Sequence, residues 1–238
     1  TDAGNSMSPD IERVMSLNPD AILLSPFENA GYGRIGKMGI PIIECADYLE
    51  TSPLGRAEWI KFFGLLYGKE VEADSIFTEV EKNYTELRDK IGVLSSAPVV
   101  ISELKSGSAW YMPGGKSYMA RFFKDAGAAY PWSDNTETGS IPLSFETVFN
   151  WAGEADIWLI KSFHVSELSY RTLQKEYAPY ARFKAFREKK IYGCDSSRCN
   201  YYEETPFRPD LLLQELAALF HPGLFPDYRF RYYQPLSE

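Results

Sequence analysis

Few side chains in this sequence have the spacing that catalysis requires. His164 lies three residues from Glu167, and Cys199 could be drawn against a histidine, but neither spacing defines a nucleophile with its base. The chain holds two histidines and three cysteines, and no Cys/His cluster has metal-ligand spacing. Gly114-Gly115-Lys116-Ser117 looks like the end of a phosphate loop. Ala109 or Trp110 stands where G-x-x-x-x-G-K-[ST] needs its first glycine, so these residues read as a turn before a helix. Cys194 and Cys199 are near enough to close a small disulfide loop, while Cys45 adjoins an apolar run and reads as buried. Three unpaired cysteines is the competing reading. What remains is recognition chemistry: carboxylates on helix starts, and aromatic and basic residues in loops.

Two of those carboxylates share a context. Ser8–Phe27 reads as a capped helix with Glu12-Arg13-Val14, then Pro19-Asp20, a strand, and Phe27. Ser144–Phe163 repeats the plan with Glu146-Thr147-Val148, then Ala155-Asp156, a strand, and Phe163. Ser8, Pro9 and Asp10 suit a helix start, Ser8 as the cap and Asp10 at the positive end. Two exposed carboxylates far apart on a rigid body would specify a partner through their spacing, steering encounter and fixing register. The plainer reading is that Glu12 and Glu146 complement helix dipoles.

The elements that must position these residues follow from periodicity. With 238 residues, 45% hydrophobic and 24% charged, the chain fits one large domain or two small ones with a sizeable core. No apolar run is long enough for a transmembrane helix, and the polar start Thr1–Asn5 is no signal peptide. A net charge of −8 without a basic stripe argues against nucleic acid. The spacing predicts a long helix over Glu70–Ile91, with Val71, Ile76, Phe77, Val80, Tyr84, Leu87 and Ile91 on one face, a Glu86→Lys90 pair, and Gly92 as its stop. Short strands are expected at 21–24, 40–44, 98–104, 156–160 and 190–193. Helices are expected at 53–67, 117–126, 144–151, 168–186 (broken near Pro179) and 210–220, with loops at 105–116, 130–142 and 194–209. Strands alternating with helices predict an α/β fold with a mainly parallel sheet in each of two lobes.

In this order the chain resembles the substrate-binding proteins of ABC importers for ferric siderophores, haem and vitamin B12. The resemblance runs through the Glu12 helix with Asn18-Pro19-Asp20-Ala21-Ile22-Leu23, Met38-Gly39-Ile40-Pro41-Ile42, and Phe63–Glu70 with the long helix behind it. It continues through Tyr111–Ser117, Ala126-Gly127-Ala128, Leu143–Thr147, and Leu216–Phe220 with His221-Pro222. It implies two α/β lobes joined by one rigid helix: residues 1–69, lacking the lobe's usual first strand, helix and strand, then a spine at 70–92, then 93–238. It implies ligand capture between the lobes, delivery to an ABC importer permease, and no catalytic activity. It also implies a periplasmic or membrane-anchored extracytoplasmic lipoprotein whose signal segment is absent from this chain. Glu12 and Glu146 match the positions where the family meets arginines of the permease, one per lobe.

Open α/β sheets bind ligands in loops after the strands. That nominates Phe27, Glu28, Asn29 and Tyr32 in the first lobe, and Trp110, Tyr111, Lys161, Phe163, His164, Tyr201 and Tyr202 in the second. Aromatic rings could stack on a flat macrocycle or catecholate, and a Tyr or His could ligate iron. In the family the loops before the two signature helices face the cleft. Here they hold Ser6-Met7 and Ser140-Ile141, without the aromatics a corrin sandwich would use. Arg34, Lys105, Lys116, Lys161 and Arg198 could meet an anionic siderophore, but they form no cluster in sequence. With only His164 and His221, a bis-histidine haem site is disfavoured. A non-transporting scaffold module and, behind it, an enzyme on the same two-lobed fold are the alternative classes. No cofactor is expected.

Overall fold

The computed structural model describes residues 4–5, 8–26, 32–163 and 168–238, which fall into two compact units, Thr1–Glu50 and Thr51–Glu238. Phe27, Glu28, Asn29, His164, Glu167, Ser6 and Met7 lie outside the described residues.

The first unit pairs β1 (Gly4–Asn5) with β2 (Ser8–Pro9) antiparallel, then forms helix α1 (Ile11–Leu17). Asp10 is the cap, its carboxylate accepting the Arg13 amide at 3.1 Å, because Ser8 is taken up by the β1–β2 pair. A left-handed Asn18 closes α1. β3 (Ile22–Leu24) and β4 (Ile42–Glu44) then pair in parallel, joined by a brief 3-10 turn at Ile35–Lys37. Met15 and Leu17 are exposed, so the expected apolar stripe of α1 narrows to the half-buried Ile11 and Val14.

The second unit opens with α2 (Pro53–Leu66), capped by Ser52, and the long α3 (Glu70–Ile91). Ala73, Phe77, Val80, Tyr84 and Ile91 are the buried face of α3, which packs against α2 and the closing helix α9 (Pro209–Phe220). Val71 and Ile76 are exposed, so Ala73 takes the seam position that Val71 was expected to hold. Glu86 approaches Lys82 at 4.0 Å, while Lys90 lies over the Phe225 ring, so the expected Glu86→Lys90 pair gives way to these contacts.

The main sheet has strand order β11 (Gln234–Pro235), β10 (Ile191–Asp195), β9 (Ile157–Ser162), β5 (Val100–Ser102). The last three run parallel, and β11 joins the edge antiparallel. A second sheet lies in sequence between β5 and β9: β6 (Lys105–Ser106), β7 (Ala109–Pro113) and β8 (Ser140–Leu143), all antiparallel. This corrects the expected loops at 105–116 and 130–142. In β7, Trp110 and Met112 point inward and Tyr111 outward, the alternation of a half-buried strand. Helices α4 (Tyr118–Asp125), α5 (Phe145–Ala152), α6 (Tyr170–Glu176), α7 (Lys184–Arg187) and α8 (Tyr201–Glu204) complete the unit. The end of β10 and α8 thus occupy part of the expected 194–209 loop. No described helix is long and apolar enough to cross a membrane.

The core of this unit is aromatic. Trp110, Trp158, Tyr180 and Phe183 are essentially inaccessible and meet at ring-centroid distances of 5.2–5.6 Å. Fully burying such side chains stabilises by about 1.5–3 kcal/mol each. At the other end Glu215, wholly buried on α9, accepts the amides of Arg231, Tyr232 and Tyr233 and so anchors the C-terminal segment.

The turn at Gly114-Gly115 has a packing cause. A Cβ on Gly115 would lie 2.3–2.6 Å from the carbonyl oxygens of Asn135, Trp132 and Ser133, so the backbone of 132–135 occupies the space a phosphate loop leaves open. Gly115→Ala is expected to cost about 3 kcal/mol or more in urea unfolding, because backbone must move; a loss below about 0.5 kcal/mol would contradict this packing.

Candidate functional site

A cavity of about 810 Å³ opens at the C-terminal ends of β5 and β9, the edge of a parallel sheet where ligands are expected. Its floor is Glu103 and Lys161–Phe163; its walls are Lys105–Gly107 and Tyr111 of the antiparallel sheet, Ser117–Met119 at the start of α4, and Thr138–Ser140 leading into β8.

Glu103 is the unusual residue. It follows β5 directly and has φ of +63°, a left-handed conformation that costs a non-glycine residue of order 1–3 kcal/mol. Four hydrogen bonds hold the chain there. The Trp110 indole donates to the Ser102 carbonyl at 3.0 Å and the Trp158 indole to the Glu103 carbonyl at 2.9 Å. The Glu103 amide donates to the Leu159 carbonyl at 2.9 Å, and the Lys105 amide to the Tyr180 hydroxyl at 3.0 Å. At a net of about 0.5–1.5 kcal/mol each, four such bonds outweigh the strain of one residue.

The pinned turn directs the Glu103 carboxylate toward Lys161, 3.9 Å away. Burial pushes the Glu103 carboxyl up, and the Lys161 ammonium opposes that push. Lys161 also lies over two rings, 5.1 Å from the Tyr201 centroid and 5.7 Å from that of Tyr202, contacts that attract a cation electrostatically. Lys105 sits over the Tyr177 ring and donates to the Gly107 carbonyl. The charged groups lining the cavity are Glu103, Glu176, Lys105 and Lys161, two of each sign among the described residues. Phe163, 75% exposed, and Tyr111, 50% exposed, are the aromatic lining residues most open to solvent.

Of the nominated residues, Tyr111, Lys161 and Phe163 line this cavity together. Trp110 and Tyr201 do not reach it: both are buried, Trp110 within the aromatic core and Tyr201 behind Lys161, its hydroxyl on the Met119 sulfur at 3.6 Å. Desolvation drives the Tyr201 phenol well above its ordinary value. Tyr202 is exposed and contributes through Lys161. Tyr32, in the first unit, donates its hydroxyl to Glu44, which pushes its phenol up to about 12 and disfavours tyrosinate ligation there. Glu103, Tyr118, Met119 and Ser140 also line the cavity; of these the sequence points only to Ser140. His221 is buried, its ring bonded to the Ala126 carbonyl. Among the described residues no three His, Cys, Asp or Glu side chains converge as a metal site.

Glu12 and Glu146 are exposed, each the second residue of its helix, after the caps Asp10 and Ser144. The two segments therefore share helix register as well as sequence plan.

Comparison with known proteins places this geometry. The family profile described as "Periplasmic binding protein" matches residues 1–197. Two uncharacterised lipoproteins of Methanocaldococcus jannaschii are 30% and 25% identical over 94% and 98% of this chain, which spans 53% and 60% of their lengths. The chain thus covers less than two-thirds of these relatives. Among solved structures, a periplasmic heme binding protein from Pseudomonas aeruginosa superposes with a TM-score of 0.72 at 18% identity, covering 93% of this chain and 78% of that one. S. aureus IsdE complexed with heme gives 0.70 at 20% identity, covering 92% and 83%. These likenesses are of fold.

Removing the ammonium should unmask the burial effect on Glu103. In Lys161→Ala, carboxyl-carbon NMR is expected to find Glu103 titrating at higher pH than in the parent chain. A carboxyl raised in the fold contributes stability that is present below its unfolded value and lost as pH rises through the folded value. Above the ordinary glutamate range, the variant's melting temperature should therefore fall more steeply with pH than the parent's. A downward movement of Glu103 would contradict the assigned pairing.

Proposed function

We propose a function on one premise: the chain belongs to the periplasmic binding protein family. It is an extracytoplasmic, membrane-anchored or periplasmic binding protein without catalytic activity. It captures an iron complex, haem or a ferric siderophore, and hands it to an ABC importer permease. The observation that carries the ligand reading is the cavity at the C-terminal edge of β5 and β9, with Tyr111 and Phe163 exposed in its lining and Lys161 held over Glu103. Among the described residues its lining charges balance, which favours a flat or weakly charged complex over a trianionic one, since unneutralised charge is costly to bury. Cobalamin is the second cargo, supported by the family resemblance alone.

Assignment of residues 1–69 to one lobe, 70–92 to a connecting helix and 93–238 to another belongs to the same proposal. So do the roles of Phe27, Glu28, Asn29 and His164 in binding, and of Glu12 and Glu146 in permease docking. The matched helix register of the two glutamates supports the docking roles.

The test is a tryptophan-fluorescence titration against haemin, ferric siderophores of differing charge and cobalamin, corrected for ligand absorbance. Saturable quenching at micromolar or tighter strength by haemin or a weakly charged siderophore is expected, weakened about tenfold or more in Phe163→Ala. Reversing charge at both Glu12 and Glu146 should leave that binding intact and abolish uptake through the cognate permease. A folded protein that binds nothing in the panel would overturn the cargo, and unchanged uptake in the double variant would overturn the docking roles.

A further inference from the structure

β10 ends on Cys194 and Asp195, and the chain then turns back on itself. Asp195 holds the turn: its carboxylate accepts the Ser197 amide at 3.0 Å and the Ser197 hydroxyl at 2.6 Å, and its carbonyl accepts the Arg198 amide at 3.0 Å. That turn carries Cys199 back over Cys194, with the two sulfur atoms 3.8 Å apart. Cys194 is fully buried, whereas Cys199 is half-buried and lines a separate cavity of about 330 Å³ through which a small reagent can approach. We propose that Cys194 and Cys199 are a disulfide pair, and that the bond staples the turn leading to the two tyrosines that hold Lys161.

The geometry needs little adjustment. A disulfide bond is about 2.05 Å long, so the sulfurs, 3.8 Å apart, must close by under about 2 Å. Other uses of the pair fit poorly. Burial pushes both thiols up, so neither rests as a thiolate of the catalytic or metal-ligating kind, and disulfide exchange runs through the small deprotonated fraction. Among the described residues no third ligand joins them.

The location ties the bond to the binding cavity. Cys194 stands opposite Lys161 in the parallel register of β10 and β9, and Tyr201 and Tyr202, whose rings lie under the Lys161 ammonium, begin α8 two residues after Cys199. A staple at 194–199 limits the freedom of that segment without touching ligand.

Formation balances with a disulfide as oxidant. Cys199, on losing its proton, attacks one sulfur of the oxidant, breaking its S–S bond and releasing one thiol. Cys194, deprotonated in turn, attacks the Cys199 sulfur of the mixed disulfide and releases the second thiol. The two cysteines are oxidised by two electrons, and their two protons end on the two thiols of the reduced oxidant.

The test uses the full chain and oxidised glutathione, and does not depend on the cargo. After incubation the protein is unfolded in denaturant, alkylated with iodoacetamide and digested with trypsin, which cuts after Arg198, between the two cysteines. Alkylation at Cys45 alone, with the two halves still joined until reductant is added, is the expected result. Three alkylated cysteines and separated halves would overturn the pairing. The oxidised protein should also melt higher than the reduced one by roughly 4–8 °C, the effect of closing a short loop in a chain of this size. Reductant should leave Cys199→Ser unmoved. Equal melting temperatures for oxidised and reduced parent protein would overturn the stapling role.

Discussion

Two indole N–H groups on consecutive carbonyls are the constraint on which the binding face rests. Trp110 donates to Ser102 and Trp158 to Glu103, and both rings are buried in the same aromatic cluster. The core therefore does more than exclude water. It fixes the one turn where β5 leaves the sheet, and it fixes it in a conformation that a glutamate would otherwise avoid. Remove either N–H and a carbonyl loses its partner, at about 1–3 kcal/mol, in a turn that already stores strain of similar size. The fold and the site are thus the same set of interactions seen from two sides.

From that turn the electrostatics follow. Glu103 reaches Lys161, and Lys161 is further held over the rings of Tyr201 and Tyr202. A lysine so committed is a poor partner for a fully exposed anion but a good fixed donor, because its rotamer freedom has already been surrendered on folding. Preorganisation of this kind suits a binding protein. Ligand contacts then come at low entropic cost, and the rim aromatics Tyr111 and Phe163 are left to supply area.

What the sequence discloses is what periodicity and capping control. The bounds of α3 are legible because its apolar residues recur at helical steps and Gly92 ends them; the parallel strands at 22–24 and 157–162 are legible as short apolar runs between turn residues. The second sheet is hidden by its composition. Segments 105–116 and 130–142 have the Gly, Ser and polar composition of loops, and Pro142 lies on β8, an edge strand, where a missing N–H costs no ladder bond. Half of the site is legible for the same reason that the strands are: Lys161 lies at the end of β9 and Phe163 follows it directly. Glu103 is not, because nothing local favours a left-handed glutamate; hydrogen bonds between residues 8 to 75 positions apart impose it. Trp110 and Tyr201 are nominated by their expected place in loops after strands, but Trp110 lies in β7 and both are buried, and aromatic content alone does not separate core from rim.

The most direct test of this account locates the ligand. Hydrogen–deuterium exchange should be followed with and without whichever complex binds in the titration panel. The account requires new protection at 103–113 and 160–163, the segments that floor and wall the cavity, with the buried strand β10 unchanged. Protection confined to Lys116, Arg121 and Lys124, which line a separate pocket, or spread over the helices with none at 103–113, would show that the ligand sits elsewhere and that the pinned turn serves the fold alone.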